Sequence, residues 1–356
     1  MDFRSAEEHL LLQQSLRDFL AGEFPPAKLR ALWAGEAQRG GALWAALAEL
    51  GVCGMLIAEE HGGLGLDLVA AANMLEEAGR AALAEPLASA IVAAPLLAEL
   101  GGALAEEWLP QIAAGRAVVA VGHPLFAAVE DADCAQLLLL PGAQFALHAV
   151  PRAAVQCESL PSSDPSRFLA KVSFDSDAHP PLAEGARARA LWDAVLLRGA
   201  LTCAAQAIGV CEQLLQMSVA YTSERRQFGK PVGSFQALKH KLADVKLKLE
   251  YARPLVQRAA HSLAQQAEHP QCGVHISMAK LLACEAAEFA ARQALQCHGA
   301  IGYTWEQDLH IWMRRAWSLA QSWGSARFHL SRVREPLLGG AFPIGPATTF
   351  ATGETT

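Results

Sequence analysis

Between Leu197 and Leu215, apolar residues return every three or four positions. Leu197, Leu201, Ala204, Ala205, Ile208, Cys211 and Leu215 fall on one helical face. A stripe this long commits the segment to a helix packed against other helices. Leu238, Leu242, Val245, Leu249 and Ala252 repeat the pattern, and Pro254 is expected to kink or interrupt that helix. Ile276, Lys280, Cys284 and the run Phe289 to Ala294 imply a third helix, and Asp308 to Leu337 a fourth. The region from 187 to 338 therefore reads as a bundle of four long helices.

The first 116 residues are helical in a different style, with shorter elements. Ser5 and Glu8 make a capping-box pattern ahead of Leu12, Leu16, Phe19 and Leu20. Leu43, Leu47 and Leu50 follow, ending at Gly51. Glu59–Asp67 is a glycine-rich turn, and its plainest role is a helix connection that needs positive φ. Helices are expected over Leu68–Ala82 and Ala88–Leu104, with Trp108–Arg116 closing the region. Between 117 and 186 the texture changes. Val118–Val121, Leu137–Leu140 and Phe168–Phe174 are short apolar or alternating runs punctuated by Pro, Gly, Asp and Ser, as in a small β domain. Residues 339–356 carry Gly, Pro and Thr without periodicity and read as an irregular tail.

Composition narrows the function classes. Of the 356 residues, 52% are apolar and 18% charged, which excludes a disordered chain. The net charge of -7, with no long basic run, argues against a nucleic-acid partner. None of the eight cysteines forms a CxxC pair and no His cluster stands at zinc spacing, so a reducing, cytoplasmic setting is expected and no metal. Met1–Leu20 is acidic and amphipathic, unlike a secretory signal. The apolar stretch Pro86–Leu97 is too short for a membrane span and holds two prolines.

Four segments carry more specific information: Glu59–Gly65 (EEHGGLG), Ser223–Lys230 (SERRQFGK), Gly233–His240 (GSFQALKH) and Gln296–Tyr303 (QCHGAIGY), with Met313-Arg314 after them. In this order they resemble the acyl-CoA dehydrogenase family over nearly the whole chain. The resemblance implies a mainly α fold: an N-terminal helical domain, a middle β domain (here reduced in length) and a C-terminal four-helix bundle. It also implies a tetramer, an FAD cofactor and an acyl-CoA substrate, with an electron-transfer flavoprotein as acceptor. The family removes two hydrogens from Cα and Cβ of the thioester. That chemistry needs a carboxylate base for the Cα proton and the flavin for the Cβ hydride.

On this resemblance, Arg225 would meet the FAD pyrophosphate, Gln227 and Phe228 would pack beside the dinucleotide, and Gln236 would bond its adenosine part. Gln296 and the backbone around His298 and Gly299 would meet the phosphates, with Gly299 permitting close approach. In the family these positions touch the FAD held mainly by a neighbouring subunit. Without its Gln227-Phe228-Gly229 context Arg225 reads first as a surface arginine, and Gly299 taken singly is equally a helix end.

The other half of the site departs from the family pattern. The Thr-Glu-Pro segment that covers the flavin falls on Val121-Gly122-His123-Pro124, and no tryptophan stands between Trp108 and Trp192. The Glu-Gly-Thr motif that supplies the base falls on Trp323-Gly324-Ser325. The alternative base position, on the first long bundle helix, falls on Gly199. Neither residue accepts a proton. The pattern predicts the shorter, non-catalytic partner of a longer catalytic acyl-CoA dehydrogenase homologue, as in bacterial heterotetramers acting on bulky acyl-CoAs. Two alternatives remain at this point. One is a self-sufficient enzyme using Glu306, Asp308 or Asp193 as base. The other is a helical-bundle protein that no longer holds flavin.

Overall fold

The structure is a computed structural model that describes residues 7–341. Ser5 of the expected capping box and the tail beyond 341 lie outside the described residues. The first bundle helix, together with the segments around it, explains the architecture. The N-terminal helices are α1 (Glu7–Glu23), α2 (Pro26–Trp33), α3 (Gly41–Glu49), α4 (Leu68–Arg80), α5 (Leu87–Leu100) and α6 (Gly102–Ala113). The expected helix through Leu104 is two, because Gly101 and Gly102 both take positive φ and break it. The glycine-rich turn does need positive φ at Gly62 and Gly65. Gly63 is required for a second reason: a β-carbon there would overlap the Ile57 carbonyl.

The middle region folds into two small sheets. Strands β1 (Val119–Val121), β3 (Leu137–Pro141) and β4 (Leu147–Pro151) form one, with β1 parallel to β3. Strands β2 (Ala128–Glu130), β6 (Leu169–Phe174) and β5 (Val155–Leu160) form the other, all antiparallel. Val129, Leu138, Leu140, Val150 and Ala170 fill a separate small core between them.

The C-terminal helices are α7 (Gly185–Glu224), α8 (Gln236–Gln265), α9 (Cys272–His298), α10 (Leu309–Gln321) and α11 (Ala326–Leu338). A short hairpin, β7 (Arg226–Gln227) with β8 (Lys230–Pro231), joins α7 to α8. Helix α7 is long and apolar enough to cross a bilayer, but 89% of its most apolar window is buried within the protein, as a bundle core helix requires. Helix α8 runs through Pro254 without a break. Pro254 and Glu250, whose carbonyl loses its partner, are both exposed, so water satisfies the carbonyl while Val245, Leu249, Ala252 and Val256 stay in the core.

The expected fourth helix is also two helices. Trp323 (φ 55°) and Gly324 (φ 104°) turn the chain, and the Ser325 hydroxyl caps α11 by accepting from Phe328 N. Two close approaches bind the regions together. At the α4–α7 crossing, a β-carbon on Gly79 would overlap the Gln206 carbonyl, and one on Gly209 the Glu76 carbonyl. The buried Arg315 guanidinium donates to Leu83 O (2.9 Å), Ala82 O (3.2 Å) and Ser166 Oγ (2.8 Å) and pairs with Asp164. One side chain from α10 thus holds both the N-terminal and the middle regions.

Candidate functional site

The two base positions, far apart in sequence, meet in space. Trp323 follows α10 and Gly199 lies on α7; a β-carbon on Gly199 would overlap the Trp323 indole. The indole therefore lies directly on the helix backbone, and only glycine leaves room for it. His329 on α11 fixes this loop. Its ring nitrogens meet Trp323 O (2.9 Å) and Ser277 Oγ (3.2 Å), and burial pushes its pKa down to about 4. The buried Lys280 ammonium donates to Leu319 O (2.8 Å) and Ala320 O (3.4 Å), capping the last turn of α10 just before the loop.

Other aromatics complete a plug. His123 packs against Phe126, Trp192 and Trp323, with centroids 5.2–6.0 Å apart. Phe126 meets Trp323 and Phe328 edge-on. The His123 ring is held at Trp192 O (3.1 Å) and accepts from Leu125 N (3.2 Å), and burial lowers its pKa. Beside the plug, a cavity of about 270 Å³ remains between the middle sheets and the end of α10, lined among others by Val121, Phe126, Leu169, Trp317 and Trp323.

That volume lies just below the range of about 300–1,000 Å³ in which small-molecule sites fall. Glu130 is the one carboxylate lining the cavity among the described residues. Burial raises its pKa, but it pairs with Arg167, whose Nη2 also donates to Ser322 Oγ (3.1 Å). It is a closed ion pair rather than a poised base. Sequence reasoning missed Glu130 and Arg167, which come together only through the sheet.

The other set of residues gathers at the far end of the bundle. The Tyr221 and His298 rings stack at 4.4 Å, and Lys241 Nζ bonds Gln293 Oε1 at 3.1 Å. The C-terminal ends of α7 and α9 and the start of α8 therefore share one surface. Arg225, Gln227, Phe228, Gln236, Gln296 and Gly299 are all exposed there. Among the described residues, no hydrogen bond or ion pair engages the side chains of Arg225, Gln227, Gln236 or Gln296. Arg225 is thus not paired with Glu224. Phe228 (φ 51°) and Gly229 (φ 78°) form the hairpin tip, and Phe228 is 90% exposed. A phenylalanine held at positive φ in open solvent is costly twice over, which marks the tip as a contact element. The first turn of α8 has no side-chain cap; Leu238 N bonds Phe235 O (3.1 Å), which leaves the N–H groups of Gln236 and Ala237 open to an anion.

His298 differs from its neighbours. Its ring is buried against Tyr221, Nδ1 meets Ala294 O (2.8 Å), and burial lowers its pKa. The imidazole is thus turned away from any ligand on this surface, and only the adjoining backbone faces it. Of the other acid candidates, Asp193 follows Trp192 and lies close enough to His123 to act on its charge. Asp308 pairs with Arg30, Glu306 and Asp193 are exposed, and none of the three lines the cavity.

Gly199 and Tyr221 are 22 residues apart on α7. At about 1.5 Å per residue, that is about 33 Å. One bound dinucleotide cannot touch both the plug and the bundle end of the same chain.

The comparisons with known proteins agree with this architecture. The family models for the acyl-CoA dehydrogenase N-terminal and C-terminal domains match residues 6–116 and 190–338. Acyl-CoA dehydrogenase IpdE2 of Mycobacterium tuberculosis is 33% identical over 330 residues, covering 92% of this chain and 96% of the relative. Among solved structures, the ChsE4-ChsE5 complex from Mycobacterium tuberculosis superposes with a TM-score of 0.84 at 23% identity, over 97% of this chain and 100% of the other. The Tcur3481-Tcur3483 steroid ACAD gives 0.83 at 26% identity, over 94% and 99%.

Proposed function

The chain belongs to the acyl-CoA dehydrogenase family, and we propose that it is the non-catalytic subunit of a mixed complex. Its own centre is closed, and its bundle end completes the FAD site of a longer, catalytic homologue. The observation that carries this reading is the contact between Trp323 and Gly199. Both positions from which the family's base would act hold groups that cannot accept a proton, and the Trp323 indole occupies the space a side chain at 199 would take.

The bundle end has what a dinucleotide's phosphates need: a free guanidinium, open helix N–H groups and a backbone without a β-carbon at Gly299. Bound there, FAD would supply hydride acceptance to the partner's chemistry. This chain would contribute charge, hydrogen bonds and the Phe228 contact. The family's fatty or steroid acyl-CoA thioesters are the substrate class. The word steroid in the name of one structural relative favours bulky ring-bearing acyl groups. An electron-transfer flavoprotein is the acceptor on family grounds. Eight unpaired cysteines suit a reducing, cytoplasmic compartment.

The test is co-purification with a longer homologue encoded nearby. The isolated chain should lack flavin and activity. The mixed complex should hold FAD on the partner and oxidise acyl-CoA. A homomer of this chain that carries stoichiometric FAD and turns over acyl-CoA overturns the reading.

A further inference from the structure

The cavity beside the plug is lined as a site. Phe126, Trp317 and Trp323 give it aromatic walls, and Trp323 is locked by His329 and by its seat on Gly199. A wall that is already fixed costs a ligand no ordering. Among the described residues, the charged side chains lining it, Glu130 and Arg167, are paired with each other. An anion would find no free cation there, and a cation would find a carboxylate already neutralised. A charge on the ligand would be desolvated without compensation. The mouth is polar. The side chains of Ser163 and Gln321 make no hydrogen bond among the described residues, and both are exposed and line the cavity.

We propose that this cavity is a binding site for a small neutral molecule with a flat ring body and a single hydrogen-bonding group, of the size and class of a naphthol or an indole. The ring lies between the aromatic walls and the polar group reaches Ser163 and Gln321. The inference rests on the reading that this chain excludes flavin from its own centre. A site of this kind would let a ring compound act on the mixed complex through the non-catalytic subunit.

The experiment is calorimetric titration of the full chain with 2-naphthol, and in parallel with naphthalene-2-carboxylate. The naphthol should bind saturably, one molecule per chain, and the carboxylate about tenfold or more weakly, as uncompensated burial of a charge requires. Ala128→Phe, which fills the cavity from β2, should abolish naphthol binding at an unchanged melting temperature. If that variant does not fold, Trp317→Ala at the partly exposed rim decides, and should weaken binding about tenfold through loss of one aromatic wall. No saturable binding to the wild-type chain, or unchanged binding in the folded variants, overturns the proposal. FAD content is measured on the same preparation. A flavin-bearing chain defeats the functional reading, whereas a flavin-free chain that ignores naphthol defeats only the binding site.

Discussion

Around Trp323 the buried polar side chains are engaged. His123, His329, Lys280 and Arg167 each bond a named partner within the chain. At the far end of the bundle, Arg225, Gln227, Gln236 and Gln296 are exposed and have no such partner. The two regions ride on the same helices, so the contrast is not one of fold quality. Folding alone selects for satisfied polar groups in a buried region. It gives no reason for a strained, exposed Phe228 beside unpaired donors. The comparison separates a region whose buried polar groups are spent within the chain from one whose exposed polar groups are left open.

The largest expected effect breaks or upholds that contrast directly. The isolated chain should show no acyl-CoA dehydrogenation, since absence of a general base alone costs about 10²–10⁴-fold. Trp323→Glu should not restore it, because the Phe126 and His123 side of the plug still excludes flavin. Anaerobic flavin bleaching by acyl-CoA in the reconstituted single mutant is the measurement. Robust turnover without a partner would mean the central region is a working site one residue from activity.

At the other region, Arg225→Ala should weaken FAD in the mixed complex by tenfold to a hundredfold. A charge-assisted hydrogen bond contributes about 1.5–3 kcal/mol. The melting temperature of this chain should not move, because the exposed side chain makes no hydrogen bond or ion pair among the described residues. Equal FAD dissociation constants for wild-type and variant complexes would make the bundle end a relic. Gly299→Val, at φ 66°, should have the same sign, with some added backbone strain.

Much of this contrast was legible in the sequence. Carrying a short motif forward from Met313-Arg314 led to Trp323, and counting back from Phe228 led to Gly199. The structure brings the two into contact. The helical texture was legible because buried stripes repeat at a fixed period. Breaks were not: Ser322–Ser325 interrupts a helix through backbone angles at Trp323 and Gly324, which no periodicity reports. The reverse error occurred at Pro254, where solvent on the exposed face tolerates a residue that usually ends a helix. Glu130 with Arg167, and the inward turn of His298 onto Tyr221, depend on neighbours distant in the chain. No local pattern announces them.

The fit between Trp323 and Gly199 makes a sharper test of the plug. Gly199→Ala adds a methyl group into the indole, and overpacking of this kind costs about 1–3 kcal/mol. Trp323→Ala opens a void on its own. The double variant should be less destabilised than the sum of the two, because the methyl then occupies freed space. Chemical melts of the four proteins measure the coupling. Strict additivity would place the indole elsewhere than on α7.

A pH-dependent effect concerns the acid stability of the plug. His329 is buried, and its pKa is pushed down to about 4 from an ordinary value near 6.5. Between those values the unfolded chain binds a proton at this site and the folded chain does not. Stability from His329 is therefore complete above about pH 6.5 and is lost as pH falls toward 4. One proton sets a slope of at most about 1.4 kcal/mol per pH unit. His329→Gln, whose amide can still donate to Trp323 O, does not titrate and should flatten the decline over this window. The bundle end supplies the control: Arg225→Ala should leave the whole acid profile as in wild type. Urea melts from pH 7 to pH 4 on the three proteins decide the matter. If His329→Gln keeps the wild-type slope, the loop that carries Trp323 is open enough for His329 to titrate in water, and the plug is not the closed packing that separates it from the bundle end.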